Sequence, residues 1–267
     1  MTRPYAEIIG DPINHSMSPA MHGFWLRQLG IDAEYRKRRV GPEELEAYLR
    51  ERRRDPDWRG CNVTAPLKTL VARHLDSLSP DARGIGAVNT IIPQADETLL
   101  GVNTDAHGAL FALAGVEAGH AVVIGAGGAA RAALFALKVM AVERITVINR
   151  TPINARSALD DLEIDGRVRM LGESPAADLL VNATPMGMDG RPALPFDIDA
   201  LLPAATVFDM VYSPPRTELL LRAEARGLRT IDGLAMLVEQ GAMAFAAFFN
   251  DGPQVADTAE LRAALAQ

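Results

Sequence analysis

V-V-I-G-A-G-G-A-A, residues 122–130, is the stretch that decides the fold of this 267-residue chain. An apolar run meets a glycine turn, and a long Ala/Leu helical pattern follows it. The turn fits G-x-G-x-x-G/A, with Gly125, Gly127 and Ala130 in its three places. That pattern is weak alone and carries weight only between a strand and a helix. Both flanks are present, as a strand over 121–124 and a helix over 129–140. Gly125 permits the tight turn. Gly127, with Gly128 before the helix and Ala129 opening it, lets backbone N–H groups approach a pyrophosphate. A tight glycine turn without a ligand is the structural alternative.

Reading outward, the next strand spans 144–148 and ends in Asn149-Arg150-Thr151. A site for NAD expects an acid there to hold the ribose hydroxyls. None is present. Arg150 offers a planar fork to a 2′-phosphate and Thr151 a hydroxyl donor, so the segment points to NADP, with NAD left open. Two more short apolar strands, 179–182 and 207–210, are each followed by polar or proline-containing turns. Repeated units of this kind imply a parallel, doubly wound sheet.

The first hundred residues also alternate. A strand over 5–10 runs into Gly-Asp-Pro. Ser18 reads as an N-cap with Pro19 at N1. Pro42 opens a helix over 43–53. Residues 60–63 are strand-like, 68–75 begin a helix after Pro66, and 88–92 pairs with 99–102 as a hairpin. The closing helices, 234–249 and 258–266, are apolar on more than one face. The fold class is α/β: an N-terminal α/β domain, a Rossmann-like dinucleotide domain, and C-terminal helices that return to the first. The expected division is 1–103 with 234–267 against 104–233.

The net charge of −7 argues against a general nucleic-acid binder. Basic residues at 36–39 and 50–54 read as a solvated face near a helix end. Cys61 is the only cysteine, so a cysteine-rich zinc site is excluded, and it reads as a small buried side chain. No metal-ligand spacing links the five histidines, and none is expected to be catalytic. Residues 121–142 imitate a membrane span, but Arg131, Lys138 and glycines interrupt it, which suits strand–turn–helix better. The acidic and polar N-terminus does not suit a signal peptide, and the chain reads as cytoplasmic.

Candidate chemistry lies upstream of the glycine turn. N-V-T-A-P-L-K (62–68) ends in Lys68, and N-T-D (103–105) ends in Asp105. With G-D-P-I-N-H-S-M-S-P-A-M-H (10–22), G-A-V-N-T (86–90), N-R-T (149–151), N-A-T-P-M-G-M (182–188), D-M-V-Y (209–212) and D-G-L-A-M-L-V-E-Q (232–240), the chain closely resembles the shikimate dehydrogenase family over nearly its whole length.

The resemblance implies NADP-linked reversible reduction of 3-dehydroshikimate to shikimate, a step toward chorismate and the aromatic amino acids. It implies a substrate domain, a dinucleotide domain and a cleft between them. Lys68 matches the family's catalytic lysine and Asp105 its catalytic aspartate. Ser16 and Ser18 match the serines on the substrate carboxylate, with Tyr212 assisting. Thr64, Asn89 and Gln240 match groups on the ring hydroxyls. Thr184, Met210 and Gly233 join the glycine turn and residues 149–151 as cofactor positions. The family contains monomers and homodimers.

The chemistry stands beside the name. Hydride delivered to a carbonyl carbon leaves an alkoxide that needs a proton. An ammonium supplies the proton and stabilises the developing charge, and a neighbouring carboxylate orients it. The alternatives are a helix cap for Asp105 and a packing role for Tyr212. Departures from the family pattern are Asn154 where a basic residue is usual, with Arg156 or Arg131 as substitutes, Ala106 for the glycine after N-T-D, and Ser213 after the D-M-V-Y tyrosine. These leave open a quinate dehydrogenase, with NAD or both cofactors. A non-catalytic nucleotide-binding relative is the third reading, against which Lys68 and Asp105 both stand.

Overall fold

The computed structural model describes residues 3–253 and 256–265. The chain divides into two compact units, one holding residues up to Thr104 and from Val238 onward, the other running from Asp105 to Leu237.

The first unit opens with β1 (Tyr5–Gly10), α1 (Ser18–Leu29), β2 (Glu34–Arg39), α2 (Leu45–Arg52) and β3 (Trp58–Val63). Two 3-10 turns, Leu67–Thr69 and Val71–His74, lead to β4 (Ser77–Leu78), α3 (Pro80–Ile85), β5 (Thr90–Pro93) and β6 (Leu99–Val102). The six strands form one mixed sheet in the order β2-β1-β3-β5-β6-β4, with β5 antiparallel to β3 and β6. One face packs Tyr5, Ile9, Trp58, Cys61 and Val63 against Leu45 and Leu49 of α2. Cys61 is fully buried, as its apolar setting suggests.

Four local readings need correction. Helix α1 begins at Ser18 itself, after a helical Met17 that makes no side-chain cap. The Ser18 N–H donates to Ser16 Oγ at 3.2 Å, so the hydroxyl at this helix start comes from Ser16. The helix read over 68–75 is instead the two 3-10 turns, because the Lys68 carbonyl leaves the helical ladder to accept the Val88 N–H at 2.8 Å. Residues 36–39 are not near a helix end but form most of β2. That strand lies at the sheet edge, where exposed basic side chains discourage further pairing. Helix α2 starts at Leu45 rather than Glu43, since the preceding turn is closed by the Glu44 carboxylate on the Gly41 N–H, 2.8 Å.

The second unit contains α4 (Asp105–Ala112), β7 (His120–Ile124), α5 (Gly128–Val139), β8 (Arg144–Asn149), α6 (Pro152–Asp161) and β9 (Arg167–Met170). It continues through β10 (Leu179–Asn182), β11 (Thr206–Asp209), α7 (Glu218–Ala225) and β12 (Arg229–Ile231) into α8 (Gly233–Phe249). α9 (Ala259–Leu265) closes the chain in the first unit; Ala266 of the expected last helix lies outside the described residues. All pairings are parallel, in the order β12-β11-β10-β7-β8-β9. Ala121, Val123, Leu179 and Val181 pack with α4, α5 and α6. Their neighbours Val122, Ile124 and Leu180 pack with α7 and residues 194–205. That two-residue alternation means both faces are covered, which is why these strands read as unbroken apolar runs. The stretch that imitates a membrane span is β7, the glycine turn and α5.

Candidate active site

Of the sequence-read substrate positions, Ser16, Ser18, Thr64, Asn89 and Gln240 belong to the first unit, as does the catalytic candidate Lys68, whereas Tyr212 belongs to the second. Asn89 precedes β5 and is 2% exposed, so its amide must be satisfied within the protein. Its Nδ2 donates to Thr104 Oγ1 at 2.8 Å and to Gln240 Oε1 at 3.3 Å, and its Oδ1 accepts the Thr104 N–H at 2.7 Å. Asn89, Thr104 and Gln240 therefore form one buried amide–hydroxyl cluster drawn from three segments far apart in sequence. Lys68 sits half-exposed in the first 3-10 turn, and the Val88 N–H bond to its carbonyl fixes that turn beside the Asn89 segment. Thr64 follows β3, its N–H held by the Ile9 carbonyl at 2.9 Å. Ser16 is partly exposed, whereas Ser18 is buried.

His22 is fully buried, neither ring nitrogen makes a hydrogen bond, and burial pushes its pKa down to about 3. It is a neutral ring stacked on Tyr35 with centroids 3.9 Å apart.

In the second unit the sheet order reverses between β7 and β10, the place where ligands bind in doubly wound folds. Gly125 follows β7 with φ +118°, and a Cβ there would lie 2.9 Å from the Ala183 carbonyl oxygen, so only glycine fits. Gly127 has an ordinary φ, precedes α5, and has nothing within 4 Å of where a Cβ would stand. Its small size is not needed for packing; it leaves the helix N-terminus open to a close-approaching anion. The tight-turn alternative explains Gly125 but not Gly127. These residues fit a pyrophosphate.

The loops after β10 and β11 are tied by a buried carboxylate. Asp209 accepts Asn182 Nδ2 (2.9 Å), Thr217 Oγ1 (2.6 Å) and the Val211 N–H (3.1 Å). Burial raises its pKa, and these donors partly offset the cost. Asn182 in turn accepts the N–H and hydroxyl of Thr184 at 3.1 and 2.7 Å, and its carbonyl accepts the Met210 N–H at 3.0 Å. A Cβ on Gly233 would meet the Val211 carbonyl oxygen at 2.8 Å, so α8 starts tight against that loop. Thr184, Met210 and Gly233 are thus brought together. Asp105 is buried at the start of α4, and its charge, after burial, raises the pKa of the Tyr212 phenol.

Asn149, Arg150 and Thr151 end β8, with Arg150 and Thr151 exposed and Asn149 Nδ2 held by the Thr151 carbonyl at 2.9 Å. The two substitutes considered for Asn154 point elsewhere. Arg156 donates to the Gly166 carbonyl at 3.1 Å and faces Asp160 at 3.7 Å. Arg131 bonds Asp161 at 2.7 Å, seven residues and about 10 Å along α6 from Asn154.

A parallel doubly wound sheet with this glycine turn, joined in one chain to a unit carrying a polar cluster and a lysine, defines a nicotinamide-dinucleotide oxidoreductase. Residues 8–91 match the shikimate dehydrogenase substrate binding domain. The NADP-type shikimate dehydrogenase of Sphingopyxis alaskensis is 49% identical over 266 residues, covering 98% of this chain and 97% of that protein. The crystal structure of shikimate 5-dehydrogenase from Thermus thermophilus, in complex with NADP(H) and shikimate, superposes with a TM-score of 0.86 at 39% identity and 98% coverage of both chains. The quinate dehydrogenase of Corynebacterium glutamicum in complex with NAD gives 0.83 at 29% identity, covering 99% of each chain. The chain belongs to the shikimate dehydrogenase family.

The structure adds Tyr35, Asn62, Thr90 and Thr104 to the surroundings of the sequence-read positions. Asn62, Thr90 and Thr104 lie inside quoted motifs, so adjacency to Thr64, Asn89 and Asp105 was a usable signal. Tyr35 lies in a run of charge, and nothing local in the sequence marks it.

Proposed function

We propose that this protein catalyses the NADP-dependent, reversible interconversion of 3-dehydroshikimate and shikimate, on the route to chorismate and the aromatic amino acids. The observation that carries the reading is the buried Asn89–Thr104–Gln240 cluster, an array of amide and hydroxyl groups suited to a polyhydroxylated ring. Bound NADPH supplies the hydride. Ser16 and Ser18 offer hydroxyl donors for the ring carboxylate, with Tyr212 as a third. Thr64, Asn89 and Gln240 read the ring hydroxyls. Lys68 gives its proton to the carbonyl oxygen in reduction and takes it back in oxidation, and Asp105 supplies the carboxylate of the pair. The protein is assigned to the cytoplasm, as a monomer or homodimer.

For the cofactor, Gly125, Gly127, Gly128 and Ala129 hold the pyrophosphate, Asn149, Arg150 and Thr151 the adenosine ribose and its 2′-phosphate, and Thr184, Met210 and Gly233 the nicotinamide end. With Asn154 uncharged and Arg131 and Arg156 turned to other partners, Arg150 carries most of the 2′-phosphate recognition. Arg150→Ala is expected to weaken NADPH by about ten-fold or more while NADH changes little, as loss of a charge-assisted hydrogen bond predicts. Fluorescence titration reads this directly; equal losses for both cofactors would remove Arg150 from the phosphate. The reaction itself is tested by incubating the protein with shikimate and NADP+ and identifying the product chromatographically. Formation of 3-dehydroshikimate is expected, and its absence overturns the reading.

A further inference from the structure

We propose that Tyr35, Asn62 and Thr90 are positioning residues: a buried relay that joins the serine end of the substrate site to its amide end and sets which atom Asn89 presents to the ring hydroxyls. The proposal rests on the substrate reading above and goes beyond its contact residues.

The relay runs across the sheet. The buried Ser18 hydroxyl faces the Tyr35 phenol on β2 and partly offsets the rise that burial gives its pKa. Tyr35 OH donates to Asn62 Oδ1 on β3 at 2.6 Å. Asn62 Nδ2 donates to Thr90 Oγ1 on β5 at 3.0 Å and to the Asn89 carbonyl at 3.3 Å. Thr90 Oγ1 donates to Asn89 Oδ1 at 3.1 Å. The phenol has to cross β1 to reach Asn62. The register allows it, because Tyr35 pairs with Ala6 and Ala6 with Gly60, two small residues in the row beneath the ring. His22 stacks on the ring, and Asn62 and Thr90 pair directly across β3 and β5.

The relay decides polarity. Asn89 Oδ1 receives both the Thr104 N–H and the Thr90 hydroxyl, which fills its two lone pairs. Asn89 can therefore meet a substrate only through Nδ2, by exchanging its long 3.3 Å bond to Gln240 for one to the ligand. Gln240 Oε1 accepts from Asn89 and from the Thr104 hydroxyl at 3.4 Å, which turns its oxygen toward this cluster. The Asn89 amide is thus set as a donor, and a ring hydroxyl meets it as an acceptor. Thr90 is fully buried and Asn62 5% exposed, so water cannot replace a missing member. Valine would suit the strand equally well; the hydroxyl adds a second donor to Asn89 Oδ1 beside the Thr104 N–H and so reinforces its orientation.

The test compares Thr90→Val, Thr90→Ser and Tyr35→Phe with the wild-type protein by steady-state kinetics, varying shikimate and NADP+ in turn. Loss of one buried hydrogen bond predicts that Thr90→Val raises the shikimate KM by about 3- to 10-fold. The NADP+ KM is expected to stay unchanged, Thr90→Ser to restore the shikimate KM, and Tyr35→Phe to shift it in the same direction by less. Tyr35→Phe carries the same readout if Thr90→Val does not fold. An unchanged shikimate KM in Thr90→Val, a serine variant as impaired as the valine one, or parallel rises in both KM values would overturn the relay. Wild-type protein that does not oxidise shikimate would overturn the functional reading, and the relay's part in substrate binding with it.

Discussion

Lys68→Ala is expected to lower kcat by about 10²- to 10⁴-fold, the range for a positioned proton donor. The ammonium has two tasks in the proposed reaction, stabilising the developing alkoxide and then protonating it, and alanine performs neither. The local structure should survive, because the turn is held through the Lys68 carbonyl and the Val88 N–H, which alanine keeps. NADPH affinity should change little, since every residue assigned to the dinucleotide belongs to the second unit and Lys68 to the first. Lys68→Arg separates the two tasks: guanidinium keeps the charge but is a far weaker acid, so most of the loss should persist. Steady-state kinetics with a parallel cofactor titration check both variants. Turnover of Lys68→Ala within a few-fold of wild type would remove Lys68 from proton transfer.

Arg52→Ala is expected to destabilise the first unit by about 3–5 kcal/mol, the cost of stranding one charge of a buried pair. Arg52 Nε lies 2.5 Å from Glu7 Oε1, and the side chains are 7% and 2% exposed. Glu7 stands in the middle of β1 opposite Cys61, with the Tyr48 hydroxyl its other donor at 2.8 Å. Arg52 also lies over the Tyr48 ring, 5.1 Å from its centroid. Removing the guanidinium leaves a carboxylate in an apolar layer with one hydroxyl for company. The Tm should fall by roughly 10 °C. Replacing both partners, Glu7→Leu with Arg52→Met, should recover much of that loss, because no charge then stays buried. A double variant no more stable than Arg52→Ala would mean that packing rather than charge stranding sets the cost.

What the sequence revealed follows from where its signals were local. Strands β1 and β10 are short, mainly apolar runs bounded by turn residues, with Glu7 the one charge between them, and both form with the expected limits. The glycine turn was legible because the backbone conformation at Gly125 requires glycine and a strand and a helix flank the turn as the pattern demands. β2 was not: E-Y-R-K-R-R has one inward residue, and an edge strand with charged side chains carries no alternating apolar pattern. The 3-10 turns around Lys68 were hidden because the hydrogen bond that draws its carbonyl away comes from Val88, twenty residues later. Tyr35 escaped for the same reason, since its partners Ser18 and Asn62 meet it only once α1, β2 and β3 are assembled.

One set of initial rates decides between the shikimate and quinate readings: each substrate with NADP+ and with NAD+, followed by reduced-nicotinamide absorbance. The highest kcat/KM is expected for shikimate with NADP+. Higher efficiency on quinate, or with NAD+, would contradict the proposed reaction and place Asn154, rather than Arg150, in control of cofactor choice.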